Sequence, residues 1–365
     1  MPYTISFWEE DTFIRTYDLI IVGAGIVGLS AAYYYKSKYP EKRVLVIEKG
    51  FYPQGASTRN AGFACFGSVT EILDDLKMES EEDVQNRIRA RYEGLNKLRA
   101  VLGDEQISYR QCGGFELFEN KEEFKKAANH IERFNHWLED LTSEKEVYQS
   151  CRTNGYSAIK NRLEGAIHTG KMMKTLIEKV IQIGVEIRWN SRVTHIQESQ
   201  IKINESIALN AQNVLIATNG FTSNLLPELP ISPARGYVFV TNELKNNQWK
   251  GTFHYDKGYV YFRDIGNRVL LGGARNLDKQ EETSSEFNVN PRIKNWLIDF
   301  ANNVLRLENG WQIDYEWTGI MGFAQSKSPV LKKISEHLYT AVGLGGMGVA
   351  IGMQIGSDAV ELMED

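Results

Sequence analysis

Residues 17–50 read YDLIIVGAGIVGLSAAYYYKSKYPEKRVLVIEKG, which alternates between aliphatic runs and a glycine-rich turn. The aliphatic run Leu19–Val22 predicts a strand, and Val44–Ile47 predicts a second one. Between them, the residues after the glycines predict a helix that ends near Lys38. The second strand is followed at once by an acidic residue, Glu48. The stretch therefore predicts a strand–helix–strand unit whose two strands are parallel.

The glycines in this unit have separate physical roles. Gly23 permits a tight turn, Gly25 lets a pyrophosphate approach the backbone, and Gly28 lets the helix pack closely on the strand. The helix N-terminus adds unpaired N–H groups and the positive end of a dipole. Glu48 can accept both hydroxyls of an adenosine ribose and would repel a 2′-phosphate. These features predict a dinucleotide site formed by Gly23, Gly25, Ile26, Val27, Gly28, Glu48 and Lys49.

Length and charge limit the function classes. A chain of 365 residues has room for about two to three domains. Its net charge is −5 and it has no long basic run, so a nucleic-acid partner is not expected. Two uncharged stretches, Leu19–Tyr35 and Leu338–Ser357, contain clustered glycines and are interpreted as turns rather than membrane spans.

The cysteines indicate a reducing compartment. Cys65, Cys112 and Cys151 are widely spaced and form no CxxC pair, so neither a disulfide framework nor a metal site is expected. The first residues lack the basic and apolar regions of a secretory signal. The sequence therefore predicts a cytoplasmic protein without an integral membrane segment.

Three later stretches complete the pattern. Residues 49–68, KGFYPQGASTRNAGFACFGS, are rich in small residues where nicotinamide enzymes usually continue into further βα units. Residues 213–227, NVLIATNGFTSNLLP, predict a strand that breaks at Ala217 and Thr218. Residues 337–363 predict a strand, a glycine turn and a closing helix.

With these motifs, the chain resembles the D-amino-acid oxidase, glycine oxidase and sarcosine oxidase family of FAD-dependent oxidoreductases. The resemblance covers nearly the whole chain in the same order. It rests on the segments DLIIVGAGIVGLSAAYYY, VIEKG, GASTRNAG, LIATNGF, PARGYVFVT, VLLGGAR, WTGIMGFAQSKSPVL and LYTAVGLGGMGVAIG.

The resemblance implies an α/β fold with two domains. The first is a discontinuous, Rossmann-like FAD-binding domain of the glutathione-reductase type, over residues 1–80, 160–228 and 316–365. The second is a substrate-binding cap built on an antiparallel sheet with helices, over residues 81–159 and 229–315. Residues 233–275 alternate as antiparallel strands do, in agreement with such a sheet.

The resemblance also assigns further cofactor contacts. Ser57 and Thr58 are expected near the ribityl chain and pyrophosphate, and Val193 near the adenine. The remaining expected contacts are Asn60, Ala61, Gly62, Ala217, Thr218, Gly345, Gly346, Met347 and Gly348. Small residues suit such a wall because any larger side chain would push a planar ring away from the backbone. Members that attach FAD covalently use a cysteine in the C-terminal third, and no cysteine follows Cys151, so non-covalent FAD is expected.

Substrate contacts are expected from the antiparallel sheet. Tyr259 and Tyr261 would lie on one face of a strand and line the substrate pocket. Arg275 and Arg263 are the candidates to bind a substrate carboxylate.

The chain also departs from the family pattern. Amino-acid oxidases often have arginine in a W-x-G-x-R run, where this chain has Met321, and an acidic residue where it has Ser326. The lysine that promotes oxygen reaction in sarcosine oxidases is replaced by Leu270. The substrate's identity therefore does not follow from the family.

The function that these features indicate is oxidation of the C–N bond of a small amine or amino acid by hydride transfer to flavin N5. Oxygen or a quinone would accept the electrons. Two alternatives remain open: an FAD-dependent 2-hydroxy-acid or polyol dehydrogenase, and a non-catalytic flavoprotein. The oligomeric state is not predicted.

Overall fold

The structure, a computed structural model, describes residues 4–364. Residues 1–3 and 365, which the expected FAD-binding domain includes, lie outside this range. Two large mixed sheets and the helices packed on them form the described part, which confirms the predicted α/β fold class. Across residues 4–364, no helix has both the length and the apolar character needed to cross a membrane.

The first sheet contains the predicted strand–helix–strand unit. Its central strand, Tyr17–Val22, is parallel to Val44–Ile47 on one side and to Ile207–Ile216 on the other. Alternate residues of these strands are buried in two different cores, which explains why the strands are continuously aliphatic. In spatial order the strands are Val330–Ser335, Leu338–Val342, Ile207–Ile216, Tyr17–Val22, Val44–Ile47 and Glu186–Arg188, with Gln200–Ile203 and Val193–Gln197 extending from Ile207–Ile216.

The turn between strand and helix requires its glycines. Gly23 has φ +109°, and a Cβ there would lie 2.8 Å from the carbonyl oxygen of Ala217. A Cβ on Gly28 would lie 2.0 Å from the carbonyl oxygen of Gly23, so only glycine allows this contact between helix and strand. The helix spans Ile26–Lys38, as predicted, and packs against the closing helix Gly348–Leu362.

The second sheet covers the glycine-rich end of the first. One of its faces, with Tyr237, Phe239 and Phe262, packs on helix Pro291–Asn303 in a separate core. Alternation along the strands turns residues such as Val238 and Tyr261 to the opposite face. In spatial order the strands are Ile313–Phe323, Ser232–Thr241, Arg268–Gly273, Val260–Ile265, Thr252–Tyr255, Gly114–Phe118, Tyr156–Asn161 and Tyr148–Thr153.

A short two-stranded contact and several helices complete the described chain. Phe63–Ala64 pairs antiparallel with Gly165–Ala166, which connects the small-residue stretch to the start of helix Thr169–Gln182. The other α-helices are Phe7–Glu9, Ala56–Arg59, Val69–Asp75, Glu81–Leu102, Lys121–Ala128 and Ile131–Thr142, with a π-helix at Glu10–Ile14 and 3₁₀ turns at Asn219–Asn224 and Arg275–Asp278.

Two elements bear on the expected division of the chain, which stays a prediction. Ile313–Phe323 pairs along its length with Ser232–Thr241, so residues 316–323, expected in the FAD-binding domain, are part of a strand of the second sheet. Helix Glu81–Leu102, expected in the cap, packs against Gly348–Leu362 and shares the core beside the first sheet. Sequence periodicity identifies a strand or a helix but not its neighbour, and this explains both differences.

Candidate active site

A cavity of about 850 Å³ lies between the two sheets. Its nucleotide end is formed by the glycine turn after Tyr17–Val22, and its sheet end lies beneath the inner face of the second sheet. Most of the residues expected to bind a cofactor line this single cavity. They are Gly23, Gly25, Ile26, Val27, Glu48, Lys49, Ser57, Asn60, Ala61, Val193, Ala217, Thr218, Gly345, Gly346, Met347 and Gly348.

Three of the expected cofactor residues do not line the cavity. Gly28 is used for helix packing, as described above. The Thr58 hydroxyl donates to the carbonyl oxygens of Pro53 (2.6 Å) and Gly55 (3.3 Å), so it holds the start of its own short helix. Gly62 has φ +72°, and its N–H donates to Oδ1 of Asn60 at 2.8 Å. Thr58 and Gly62 therefore make hydrogen bonds that hold the wall in shape, and their expected contact with the cofactor stays a prediction.

The nucleotide end fits a dinucleotide. Oε2 of Glu48 accepts the N–H of Ala24 (3.1 Å), and Oε1 accepts the N–H of Gly50 (2.9 Å), so the carboxylate is fixed at the end of its strand. Oγ of Ser57 accepts the N–H of Ile26 at 2.9 Å, at the N-terminus of the helix. A larger residue at Gly25 would close this corner, because a Cβ there would lie 3.1 Å from Oγ of Ser57.

A second helix N-terminus lines the cavity at the closing turn. Gly345 and Gly346 have φ of +57° and +90°, which residues with a side chain rarely adopt. Met347 is the N-cap of helix Gly348–Leu362 and provides no side-chain cap. The first N–H groups of this helix therefore offer donors and a positive dipole end to a bound anion or electron-rich ring.

At the sheet end, aromatic side chains surround one arginine. Tyr261 lies in strand Val260–Ile265, whereas Tyr259 precedes the strand, so the expectation that both belong to one strand face is wrong, although both line the cavity. The ring of Phe63 lies edge-on to Tyr261, with 5.7 Å between centroids. The guanidinium of Arg275 lies 4.2 Å from the centroid of the Phe323 ring.

Arg275 has an unusual environment for a half-buried cation. Within residues 4–364 no carboxylate forms an ion pair with it, and burial lowers its pKa. Burial also raises the pKa of the neighbouring Tyr261 to about 12, so that phenol stays protonated at neutral pH. This end of the cavity therefore offers the positive charge of Arg275 and the neutral hydroxyl of Tyr261, and the side chains of Arg59 and Lys257 also line the cavity.

Arg263 does not line the cavity, so the expectation that it binds a substrate carboxylate needs correction. Its Nη1 donates to the carbonyl oxygens of Gly62 (2.7 Å), Ile167 (2.9 Å) and Ala61 (3.3 Å). The side chain is thus held behind the cavity wall, where it joins the second sheet to the small-residue stretch.

Sequence reasoning missed His254 and Glu164 beside the cavity. His254 lines it, and its buried Nε2 has no hydrogen-bond partner and lies 3.8 Å from Oε2 of Glu164. Burial lowers the pKa of His254 to about 4 and raises that of Glu164 to about 8, so both side chains are uncharged at neutral pH. The sequence did contain a signal that could have identified His254. Consecutive residues of a strand face opposite sides of the sheet, so His254 faces the inner side when its neighbour Phe253 faces the outer side.

The positions that depart from the family pattern have different surroundings. Met321 and Ser326 line the cavity. Leu270 is 3% exposed and packs with Val238 and Val240 in a small apolar cluster on the inner face. Within the described residues, no group of three or more histidine, cysteine, aspartate or glutamate side chains could hold a metal ion.

Comparison with known proteins agrees with this geometry. The family model described as "FAD dependent oxidoreductase" (DAO) matches residues 18–362. The chain belongs to the DAO family. FAD is therefore its cofactor, and the geometry of the nucleotide end is compatible with it.

Relatives of this DAO family member carry oxidoreductase names. A probable oxidoreductase, OrdL, of Haemophilus influenzae is 26% identical, with 93% of this chain and 81% of that protein covered. The N-methyl-L-tryptophan oxidase of Yersinia pestis is 26% identical over 60% of this chain and 58% of its own length.

Solved structures share the fold. Iminodiacetate oxidase of Chelativorans sp. BNC1 superposes with a TM-score of 0.77 at 16% identity, covering 95% of both chains. Glycine oxidase of Geobacillus kaustophilus superposes with a TM-score of 0.74 at 18% identity, covering 96% of both chains.

Proposed function

We propose that this protein oxidises the C–N bond of a small amine or amino acid whose carboxylate is bound by Arg275. Bound FAD supplies the hydride acceptor at N5, and the imine product then hydrolyses to a carbonyl compound and an amine or ammonia. The observation that carries the proposal is a cation without a carboxylate partner in the aromatic end of the cofactor cavity.

Arg275 is suited to bind a carboxylate. Its guanidinium carries parallel donors that match two carboxylate oxygens, and the partly dry surroundings strengthen such a contact. Stacking on Phe323 fixes the plane of the guanidinium, so less rotamer freedom is lost when a substrate binds.

The aromatic residues would orient the rest of the substrate. Tyr259, Tyr261 and Phe63 present flat, largely apolar surfaces that exclude water from the reacting carbon. Such a site works mainly by holding the substrate in one orientation, which by itself can lower a barrier by several kcal/mol.

His254 would favour the neutral form of the amine. The lone pair of the amine nitrogen must be free when hydride leaves the adjacent carbon, and an ammonium group has no free lone pair. Because burial keeps His254 uncharged at neutral pH, its ring can accept a hydrogen bond from a neutral amine without supplying a charge that favours the ammonium form.

The names of the relatives support an amine or amino-acid substrate. They include oxidases of N-methyl-L-tryptophan, iminodiacetate and glycine, all of which contain an amine. The free cysteines agree with a reducing cytoplasm. The burial of Leu270 supports a quinone or another acceptor in preference to oxygen, because no lysine occupies that position.

A turnover screen tests the proposal. The FAD-loaded protein is incubated with separate panels of amines, amino acids and 2-hydroxy acids and with an artificial electron acceptor, and carbonyl and ammonia products are measured. We expect turnover with a member of the amino-acid panel and release of ammonia or an amine. Turnover of hydroxy acids alone would support the alternative dehydrogenase, and no turnover with any panel would support the non-catalytic alternative.

A further inference from the structure

Arg263 is a buried cation that binds only main-chain oxygens. It is 8% exposed, and its Nη1 donates to Gly62, Ile167 and Ala61, while its Nε donates to the carbonyl oxygen of Asp264 at 3.3 Å. These four carbonyl contacts engage Nη1 and Nε but do not cancel the charge of the guanidinium.

The carboxylate that follows Arg263 in the chain is already paired with another arginine. Asp264 follows Arg263 in the chain, and its two oxygens accept from Arg110 at 2.6 and 2.9 Å. Among the described residues, no carboxylate forms an ion pair with Arg263 itself. Although burial lowers its pKa to about 10, Arg263 remains charged at neutral pH.

This charge lies directly behind the cavity wall at the sheet end. Ala61, whose carbonyl oxygen accepts a hydrogen bond from Arg263, lines the cavity. Leu270 is the register partner of Arg263 on the neighbouring strand. The glycine turn and Glu48 would hold the ADP half of FAD at the nucleotide end, and the isoalloxazine half would then extend toward the sheet end. The part of FAD that accepts electrons would therefore lie near the Ala61 segment.

We propose that Arg263 is a positioning residue with an electrostatic role: it holds the Ala61–Gly62 wall and raises the reduction potential of bound FAD. Reduction adds negative charge to the cofactor, and a fixed positive charge in a dry wall stabilises the reduced form more than the oxidised form. The inference requires FAD binding but not the substrate proposed above.

The test is a measurement of midpoint potentials on the FAD-loaded protein by anaerobic dye-equilibrated titration, which needs no substrate. Arg263→Gln keeps a donor but removes the charge, whereas Arg263→Lys keeps the charge. Arg268→Gln is a matched control, because Arg268 lies on the neighbouring strand, is solvent-accessible and pairs with Asp314. We expect Arg263→Gln to shift the two-electron reduction equilibrium at least tenfold toward oxidised FAD, or about 30 mV.

Arg263→Lys and Arg268→Gln should keep the wild-type potential. The proposal is overturned if the midpoint potential of Arg263→Gln equals that of wild type. It is also overturned if the potential of Arg263→Lys falls as far as that of Arg263→Gln, because the hydrogen bonds of the arginine, and not its charge, would then set the potential. If Arg263→Gln does not retain FAD, the potential of Arg263→Lys decides between the two roles. A midpoint potential of Arg263→Lys about 30 mV or more below that of wild type contradicts an electrostatic role.

Discussion

Replacing Arg275 by alanine should remove most catalytic efficiency toward carboxylate-bearing substrates and leave the fold and FAD binding nearly unchanged. In the described structure the guanidinium's only stacking partner is Phe323, and such a contact contributes about 0.5–1 kcal/mol at a partly exposed site. A charge-assisted contact to a half-buried carboxylate is worth about 1.5–3 kcal/mol, which corresponds to roughly a ten- to hundredfold loss of kcat/KM.

The assay compares kcat/KM for an active amino acid and for the corresponding amine that lacks the carboxylate. Arg275→Ala should lower the first value and leave the second close to wild type. Arg268→Ala, which removes a paired arginine from the same sheet, should change neither. Flavin fluorescence titration should give similar FAD affinities for all variants. Unchanged kinetics of Arg275→Ala toward every active substrate would refute a carboxylate site at this residue.

Three further predictions follow from the cavity and its neighbours. Acid precipitation should release intact FAD, because burial raises the pKa of the cavity-lining Cys65 thiol and disfavours the reactive thiolate; flavin that stays on the precipitated protein would contradict this. Anaerobically reduced protein mixed with air-saturated buffer should reoxidise slowly, and faster with a quinone, because the uncharged Leu270 occupies the strand position at which the family's oxidases have a lysine to stabilise superoxide; rapid reoxidation by oxygen would show the reasoning to be wrong. The third prediction concerns pH, because burial raises the pKa of Glu164 from 4.5 to about 8. Between these two pH values the native state keeps a proton on Glu164 that the unfolded state loses, so the free energy of unfolding falls as the pH rises. Glu164→Gln should remove this loss, about 1.4 kcal/mol for each pH unit, and urea unfolding at pH 5 and 8 should therefore show a smaller difference for the variant than for wild type.

The nucleotide end could be predicted from the sequence because its physics is local. The strand, the glycine turn and the helix lie within residues 17–38, and the close contact between Gly28 and Gly23 involves residues five positions apart. A pattern of this kind can be recognised from one sequence, since each residue type answers a requirement set by its neighbours. The family resemblance extended the prediction of cofactor-binding residues to the glycine turn that precedes Gly348.

The sheet end could be predicted only in part, because it is assembled from distant segments. Alternation identified Tyr261 as facing one side of its strand, but it could not show that Arg263, two residues later on the same side, turns behind the wall to bind Gly62 and Ile167. Glu164 lies in a short loop-like stretch, and only the tertiary fold brings it to His254, ninety residues away. Pairing between such segments depends on burial and long-range register, which periodicity does not encode.

The most direct test of the central claim is the anaerobic half-reaction. FAD-loaded protein is mixed without oxygen with members of an amino-acid panel and with the matching 2-hydroxy acids, and the visible absorbance of the oxidised flavin is followed. We predict that at least one amino acid bleaches the flavin and forms one carbonyl product per FAD, while its hydroxy counterpart does not. Bleaching by the hydroxy acid alone, or by no member of either panel, would contradict oxidation of a C–N bond at this site.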